Sequence, residues 1–563
     1  MTDYEPISFY AFATTCEDIG NTASKNLKVE ILANYLKSLD DENLKVACRL
    51  LSGEISPPSE GLELQVGYST LVSIIAELSG KSDDTLGRTY LRYGDLGDAA
   101  EEMLAVKVIE PLIRERYTLV DVEEKFRKVA GMSGKGAYHE KRQALLGLYL
   151  NMTPLESKYL TKLLTGEMRI GLVAGLVIEG VANAFNQGYE EVNETYLLTN
   201  DIGKTAYLAK LNRLTDAKLE PLCQTNFMLA EAMQTAQEII EYFGRELICE
   251  PKLDGVRAQC HKKGEVVKIF TRRGNESTNY FPEIAEELKK IPHDYIFDGE
   301  IVAYMNDKVL PFTLLQQRLQ RKEISEDLMQ RIPLSLFVYD VLYFDGKSVY
   351  KEALKERKRL FEKIKFPEKV KVLEYTFINT KEEIEKMFHE SVERGFEGLM
   401  LKDPESIYTV GKRGKNWVKL KKELDTLDVV IIGAERGHGK RANIFSDYIF
   451  AIWDNGELKT IGKAYSGLTD RELYEMSDRL KSMAIKDEGW RIIVNPQIVI
   501  EVAFNGIQKS NRHESGYALR FPRIVRIRED KSIEQADSLQ QVEEIFRRQQ
   551  KTILGKDNSE YKT

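Results

Sequence analysis

The segment of residues 250–257 constrains the chain most, because its sequence Glu-Pro-Lys-Leu-Asp-Gly-Val-Arg sets Lys252 between a short apolar stretch and a turn. Two alternating runs follow, Val256–His261 and Val266–Thr271, and a Lys-Lys-Gly-Glu turn joins them. Alternation on both sides of a short glycine-containing turn predicts a β-hairpin. Lys252 is therefore expected just before a strand, with its amine facing a cleft.

The chemistry open to Lys252 depends on its charge. A lysine is a nucleophile only when its amine is neutral, and desolvation or nearby positive charge favours that form. Arg257, Arg272 and Lys402 are the expected sources of such charge. Taken alone, a lysine-x-aspartate-glycine motif more often marks a surface lysine in a polar turn. The rest of the chain must decide between the two interpretations.

Length and composition describe a multidomain globular protein. At 563 residues the chain is too long for one core, and its 42% hydrophobic and 30% charged content is ordinary. The five cysteines lack zinc-ligand spacing, and no leader-like or membrane-spanning apolar run is present. We therefore expect a cytoplasmic protein with no membrane contact. The net charge of −8 argues mildly against a polyanionic partner, but local basic patches decide such binding.

The pattern of apolar residues changes twice along the chain. Positions from about 25 to 240 show helical spacing. From about residue 247 strands and helices mix. The expected elements are strands at Tyr295–Tyr304 and Leu334–Tyr343 and helices at Lys351–Ile364 and Lys381–Arg394. After about residue 427, short strands with glycine turns predict a small β-barrel. A last helix is expected over Ser538–Lys551, and a polar, disordered tail after Gly555.

Further segments carry charged or aromatic residues in strand-like settings. They are Arg272, Asp298-Gly299-Glu300, Tyr339-Asp340, Glu397–Lys402, Trp417–Lys421 and Arg528–Lys531. Strict alternation places Lys419 and Lys421 on one face of a strand, which favours solvent or an anion opposite them. Each segment has a structural alternative, since Asp-Gly is a common turn and paired lysines can defend a sheet edge. Their joint occurrence in this order is much harder to explain in that way.

In this order, over about 280 residues, the segments resemble the nucleotidyltransferase motifs of ATP-dependent DNA ligases of the archaeal and eukaryotic replicative type. The resemblance implies a multidomain fold of α, α+β and β parts. Its expected domains are a helical DNA-binding domain at 1–220, an adenylation domain of antiparallel sheets with helices at 221–424, an OB-fold β-barrel at 425–540, and a C-terminal helix with a disordered tail at 541–563. The implied activity seals nicks in duplex DNA through a lysyl-AMP intermediate, releasing AMP and diphosphate, during replication, repair and recombination.

The resemblance also implies roles for single residues, with ATP and Mg²⁺ as cofactors. Lys252 resembles the catalytic nucleophile that attacks the α-phosphate of ATP. The implied nucleotide contacts are Glu250, Arg257, Arg272, Glu300, Tyr339, Arg413 and Lys419, and the implied magnesium ligands are Glu300 and Glu397. Tyr339 departs from the family pattern, in which phenylalanine often stacks on adenine, but it offers the same ring face. The sequence has no G-x-x-x-x-G-K-[ST] phosphate loop, so ATP binding would rest on the lysine motif.

Nicked double-stranded DNA is the implied partner, a sliding clamp is kept as a second one, and the protein is expected to act as a monomer. Three alternatives stay open. RNA ligases and mRNA capping guanylyltransferases share the lysine motif, a nucleic-acid-binding scaffold could carry an inactive transferase core, and NAD-dependent ligases use the same intermediate. The helical N-terminal third and Arg528–Lys531 favour the DNA ligase, and the missing four-cysteine zinc site argues against the NAD-dependent group.

Overall fold

The structure is a computed structural model that describes residues 5–272, 274, 276–319, 321, 324–421, 424–437, 441 and 443–554. The chain forms two compact units. The larger one contains Met1–Thr89 and Leu96–Lys421, and the smaller one contains Tyr90–Asp95 and Lys422–Thr563. The tail after Gly555, which the sequence predicts to be disordered, lies outside the described residues.

The first part of the larger unit is helical, as the apolar spacing predicts. The helices along this part of the chain are α1 (Phe9–Gly20), α2 (Lys25–Lys37), α3 (Asp41–Leu51), α4 (Tyr68–Ser79), α5 (Asp83–Tyr93, whose last residues from Tyr90 are assigned to the smaller unit), α6 (Leu96–Met103), α7 (Leu119–Gly131), α8 (Ala137–Asn151), α9 (Pro154–Thr165), α10 (Ala174–Phe185), α11 (Tyr189–Thr199) and α12 (Ile202–Lys210). Local sequence fixes several starts. In α9, Thr153 accepts a hydrogen bond from the Glu156 amide, the Glu156 side chain accepts one from the Thr153 amide, and Pro154 occupies the first turn.

The second part of the larger unit is built on two sheets. Its strands are β1 (Leu229–Met233), β2 (Leu247–Pro251), β3 (Val256–Lys263), β4 (Val266–Thr271), β5 (Tyr295–Met305), β6 (Lys308–Val309), β7 (Leu334–Phe344), β8 (Lys347–Ser348), β9 (Val370–Val372), β10 (Thr376–Ile378), β11 (Gly398–Lys402) and β12 (Arg413–Lys421). Its helices are α13 (Ala236–Phe243), α14 (Pro282–Lys289), α15 (Phe312–Leu319), α16 (Glu326–Arg331), α17 (Leu354–Arg359) and α18 (Lys381–Glu393). The predicted hairpin is confirmed as β3 and β4.

One sheet has the order β1-β12-β11-β2-β10, and the other has β4-β3-β5-β7-β8 with β6 and β9 at its sides. The expectation of purely antiparallel sheets is wrong at two places, since β1 pairs with β12 and β7 with β9 in parallel. The helical prediction that reached residue 240 also missed β1. That strand is short, and its partner β12 begins at Arg413, far along the chain. The predicted helix Lys351–Ile364 is shorter, with α17 followed by a 3₁₀ turn.

Apolar clusters cover the two sheets and fill the space beside them. Helices α14 and α15 cover the seven-stranded sheet that contains β3, β5 and β7, with Phe281, Leu288 and Leu315 among the buried residues. Helices α13 and α18 cover the five-stranded sheet that contains β2, β11 and β12, through residues such as Ile239 and Ile384. A third cluster joins residues from both sheets, and its members include Leu253, Ile296, Tyr339, Tyr408 and Trp417. The cleft described below lies against this third cluster, so its floor is rigid and partly aromatic.

The smaller unit contains β13 (Asp425–Arg436), β14 (Phe445–Asp454), β15 (Glu457–Ala464), β16 (Ala484–Asp487), β17 (Arg491–Val494), β18 (Val499–Phe504), β19 (Gly506–Lys509), β20 (Tyr517–Arg520), β21 (Arg523–Ile527), α19 (Asp470–Ser482) and α20 (Leu539–Leu554). The prediction of many short strands is confirmed, and the predicted final helix corresponds to α20. Helix α19 was not predicted, although Thr469 and Glu472 form a capping box at its start. In the part of the chain that the structure describes, no helix is long and apolar enough to cross a bilayer.

Candidate active site

Lys252 follows β2 directly, as the sequence predicts, and its backbone is fastened to the start of β11. Its amide donates to the Gly398 carbonyl at 2.9 Å, and its carbonyl accepts from the Glu397 amide at 2.9 Å. Gly255 stands where a Cβ atom would lie 2.5 Å from the Ile301 carbonyl oxygen. Only glycine allows this close approach of the loop to β5. The short link between β2 and β3 therefore fixes where the lysine side chain begins.

The Lys252 amine is half-buried and paired with one carboxylate. Its Nζ lies 2.7 Å from Glu397 Oε2, and Lys421 Nζ lies 2.9 Å from the same oxygen. Burial alone would raise the pKa of the Glu397 carboxyl, but the ammonium groups of Lys252 and Lys421 outweigh it and hold that pKa below its ordinary value. Glu397 directly precedes β11, and Lys402 is the last residue of that strand.

A cleft of about 970 Å³ opens beside Lys252. Of the residues that the sequence assigned to the nucleotide, it is lined by Glu250, Lys252, Arg257, Arg272, Glu300, Tyr339, Arg413 and Lys419. Lys402 and Trp417 also line it. The structure thus brings these predicted residues together from β2, β3, β4, β5, β7 and β12. Glu397 is not among the lining residues, and it reaches the site through its ion pair with Lys252.

One part of the cleft lining is aromatic and buried. Lys402 lies 4.4 Å from the centre of the Tyr339 ring and 4.1 Å from that of Trp417. Its Nζ is 2.6 Å from Glu250 Oε2, and both side chains are 1% exposed. Burial and the neighbouring Lys358 lower the pKa of Lys402, which the Glu250 carboxylate only partly offsets. An aromatic slot with a carboxylate beside it suits a heteroaromatic base that carries amino groups.

Asp298 organises the wall of this slot. It is fully buried and accepts hydrogen bonds from Arg257 Nε (3.1 Å) and Nη2 (2.6 Å), from the Tyr339 hydroxyl (3.1 Å) and from the Tyr408 hydroxyl (2.7 Å). Burial raises the pKa of Tyr408 well above its ordinary value, and the Asp298 carboxylate adds to the effect, so the phenol stays a donor. The Tyr339 hydroxyl therefore has a partner. The Arg257 guanidinium, expected on the nucleotide, is already bonded to Asp298 and to the Met228 carbonyl.

Another part of the cleft lining is cationic. Lys419 lines it, and burial together with the positive charges of Lys421 and Arg413 lowers the pKa of Lys419. Lys252 and Arg272 act on Lys419 in the same direction, so they lie near it. Like charges gather at such cost only where an anion neutralises them, and a chain of phosphates has the required charge and length.

Two carboxylates stand near Lys252. Burial raises the pKa of Glu300 to about 7, and the charges of Asp298 and Glu397 add to the rise against the opposing effect of Lys252 and Arg257. A divalent cation would relieve this repulsion, and Mg²⁺ needs few protein oxygens because it keeps waters and binds phosphates. Among the described residues no group of three or more His, Cys, Asp and Glu side chains could hold a metal ion. The donor set fits a magnesium ion that is bound largely by phosphates.

Sequence reasoning missed several residues of the site. Lys358, on α17, pairs with Glu250, and Tyr408 binds Asp298. Gly61, Glu63 and Gln65 of the helical part also line the cleft. A buried lysine in a helix that reads Leu-Lys-Glu-Arg-Lys-Arg gives no local signal, because five of the six positions are charged and look solvated. Only the tertiary contact identifies it.

The segment Arg528–Lys531 belongs to the smaller unit, where its charges are paired. Arg528 contacts Asp428 at 3.0 Å and Asp530 at 2.8 Å. Lys531 Nζ lies 2.5 Å from Asp428 Oδ2. Asp428 comes from β13, so this last sequence motif is tied to the first strand of its unit.

Comparison with known proteins gives a consistent result along the chain. Three family models match: the DNA ligase N terminus at residues 8–182, the ATP-dependent DNA ligase domain at 227–421 and the ATP-dependent DNA ligase C-terminal region at 441–531. A probable DNA ligase of Koribacter versatilis is 40% identical over 561 residues, which cover 95% of this chain and 96% of the relative. A DNA ligase of Archaeoglobus fulgidus is 35% identical, with 96% of this chain and 99% of the relative covered.

Among solved structures, the one named Pmar-Lig_PreS3 matches with a TM-score of 0.55 and 16% identity, covering 92% of this chain and 99% of that one. This likeness concerns the fold alone. The family models describe a three-part architecture, and the structure has the corresponding helical region, two-sheet region and C-terminal sheet region. With the sequence identity to relatives of nearly the same length, it follows that this chain belongs to the ATP-dependent DNA ligase family.

Proposed function

We propose that the cleft beside Lys252 binds ATP and that Lys252 carries AMP between ATP and a DNA nick, in the nick-sealing reaction of this family. One observation carries the assignment: the Lys252 amine stands in a cleft that is lined both by aromatic rings and by clustered cations. A nucleotide bound with its base in the slot and its phosphates among the cations would extend past that amine.

Three transfers follow from this placement. The ion pair between Lys252 and Glu397 first opens, and the amine loses a proton to solvent. Lys252 Nζ then forms a bond to the α-phosphorus of ATP while the bond to diphosphate breaks. The 5′-phosphate of the nick next takes AMP from Nζ, and the 3′-hydroxyl finally attacks that phosphate, loses its proton and expels AMP. Dividing one transfer into steps through a covalent intermediate lowers each barrier.

The individual roles follow from position. Glu250 receives the adenine amino group, and the Tyr339 ring packs on the base. Arg257 and Glu300 contact the ribose side, while Arg272, Arg413 and Lys419 bind phosphate oxygens. The last three lie at exposed or half-buried positions of the cleft lining, where a polyphosphate can enter. Fixed cations aimed at developing phosphoryl charge stabilise the transition state without reorganising.

Magnesium is the second proposed cofactor. Glu300 and Glu397 would hold it near the phosphates, where it would neutralise charge on the transferring group. The repulsion between these two carboxylates supports the assignment. Replacing Glu397 by Gln should raise the magnesium concentration needed for self-adenylation, and Glu390→Gln, on the exposed face of α18, serves as the control. An unchanged magnesium requirement in Glu397→Gln would remove Glu397 from the metal site.

The smaller unit supports a finer proposal, an OB-fold barrel. Strand β13 pairs along residues 425–430 with β18 and along 433–435 with β17, while its other edge pairs with β14. A strand that changes partners along its length curls the sheet, which is how small barrels close. The domains that we propose keep the boundaries expected from sequence, namely 1–220, 221–424, 425–540 and 541–563. Lys531 and Asp530 would face diphosphate during the first transfer, after leaving their present ion pairs.

The decisive experiment is the self-adenylation of Lys252→Ala. The full chain is incubated with ATP and magnesium, and intact-protein mass spectrometry detects the AMP adduct. We expect an adduct on the unmodified protein and none on Lys252→Ala. Lys263→Ala, an exposed lysine at the end of β3, is the matched control and should adenylate normally. An adduct of undiminished yield on Lys252→Ala would show that another residue is the nucleophile.

A further inference from the structure

Helix α17 sends two adjacent basic side chains into the interior, each toward a different sheet. Arg357 binds Asp340 of β7 with Nε and Nη2 at 2.7 and 2.8 Å, and both side chains are fully buried. Lys358 places its Nζ 2.5 Å from Oε1 of Glu250 on β2, and both side chains are 1% exposed. The helix therefore ties together the two sheets that border the cleft.

Glu250 is held from two sides. Lys358 contacts one carboxylate oxygen, and Lys402 contacts the other at 2.6 Å. Glu250 and Lys402 line the cleft, whereas Lys358 stands behind Glu250 and also lies 4.4 Å from the centre of the Tyr375 ring. Each carboxylate oxygen has further lone pairs, so Glu250 can still accept a hydrogen bond from a molecule in the cleft. With both oxygens anchored, the direction of that bond is fixed.

We infer that Lys358 is a positioning residue for base recognition: by anchoring Glu250 from behind, it makes the enzyme select a purine with an amino group at C6 over one with a carbonyl there. This inference rests on the proposed function, since it takes the cleft as the ATP site and Glu250 as the adenine contact. A 6-amino group donates to the carboxylate. A 6-carbonyl oxygen would meet the carboxylate oxygen as a second acceptor, which leaves buried polar groups unpaired.

Losing Lys358 frees one side of the carboxylate. Glu250 can then turn toward Lys402, away from the position of the C6 substituent, and it contributes less to the binding of either base. The maximal rate of adenylation should change little, because Lys358 touches none of the reacting atoms. The expected signature is therefore weaker ATP binding with reduced discrimination, at a nearly unchanged maximal rate.

The test uses ATP and ITP, which differ in the C6 substituent and in the proton at N1. Self-adenylation of the full chain is measured in single turnover against the concentration of each nucleotide. In Lys358→Met we expect the ATP concentration for half-maximal rate to rise about tenfold or more, because one of the two buried ion pairs that hold the Glu250 carboxylate is lost. The preference for ATP over ITP should fall by about tenfold, and the maximal rate should stay within about threefold. Lys358→Arg, which keeps the charge, should restore most of the preference.

The matched control is Lys262→Met. Lys262 is also buried, on β3, and its Nζ donates to the Ile291 carbonyl at 2.7 Å, away from the cleft lining. It should lose stability with no change in the nucleotide preference. If Lys358→Met fails to fold, Lys358→Gln, which keeps a neutral donor, carries the same test. A neutral variant that keeps the ATP preference of the unmodified protein, or one that loses only maximal rate, overturns the inference. Absence of any adduct in the unmodified protein overturns the proposed function and the inference together.

Discussion

Replacing Asp298 by Asn tests the organisation of the cleft wall most directly, because this buried carboxylate accepts four hydrogen bonds. One oxygen serves Arg257 Nε and the Tyr339 hydroxyl, and the other serves Arg257 Nη2 and the Tyr408 hydroxyl. An amide keeps one acceptor oxygen and turns the other position into a donor. We expect it to keep the two shorter bonds, so Arg257 Nε and the Tyr339 hydroxyl each lose the acceptor to which they donate.

The magnitude follows from these contacts. A hydrogen bond to a charged group is worth roughly 1.5–3 kcal/mol, and two are lost. Removing one partner of a buried ion pair destabilises a protein by about 3–5 kcal/mol. This figure describes the same loss as the two hydrogen bonds and is not added to it. Arg257 is 19% exposed, so water can reach part of its guanidinium. The free energy of unfolding should therefore fall by about 3 kcal/mol, at the lower end of this range.

The assay can report the larger unit alone. The chain has three tryptophans, of which only Trp417 belongs to that unit. In a background with Trp453→Phe and Trp490→Phe, urea unfolding is followed by Trp417 fluorescence, and ATP binding by half-maximal self-adenylation. Asp298→Asn should unfold at a lower urea concentration than the background protein. Its apparent ATP affinity should fall by about tenfold, because Tyr339 is no longer held by the carboxylate.

Glu123→Gln provides the comparison. Glu123 pairs with Arg49 at 2.8 Å in the helical part of the same unit, and both side chains are at most 10% exposed. This variant should lose stability by a similar mechanism while binding ATP normally. The opposite outcome is that the Asp298→Asn protein loses less than about 1 kcal/mol of unfolding free energy and adenylates at the same ATP concentrations as the unmodified protein. That result would refute the conclusion that Asp298 holds the cleft wall by accepting four hydrogen bonds.

Three further outcomes are expected. Burial, with Asp201 nearby, raises the pKa of Glu54 from 4.5 to about 7, so the free energy of unfolding should fall as the pH rises through that window and the carboxyl ionises in the folded protein. Glu54→Gln should abolish this fall and have a higher urea midpoint than the unmodified protein at pH ~8. Parallel pH profiles of the two proteins would contradict this expectation. Deleting the chain beyond about residue 520 should abolish self-adenylation, and Lys531→Ala should slow it at least about tenfold while sealing of a pre-adenylated nick is less affected; normal adduct formation by a folded deletion variant would exclude the smaller unit from the first step. Binding to a nicked duplex, followed by fluorescence anisotropy, should weaken at least about tenfold between ~50 and ~200 mM salt through counterion release, and a flat dependence would argue against phosphate contacts.

Local sequence sufficed wherever a motif carries its own geometry. The alternation around Lys262-Lys263-Gly264 specified the hairpin, and the strand that contains Tyr339 was predicted to within one residue of its end. Local sequence was not sufficient where a segment's structure depends on residues that are far away along the chain. Strand β1 was read as helix because only its parallel pairing with β12 holds it extended.

The sequence by itself pointed to the charged and aromatic motif residues that line the cleft, from Glu250 to Lys419, because the motifs that carry them appear in order along the chain. It did not identify Gly61, Glu63 or Gln65, which come from the helical part. The tertiary structure alone decided how these residues are held. Lys358 meets Glu250 across 108 positions, and Tyr408 meets Asp298 across 110. Burial makes such ion pairs and hydrogen bonds matter, and which charged side chains become buried depends on how the two sheets and α17 pack together, a property that no short segment carries.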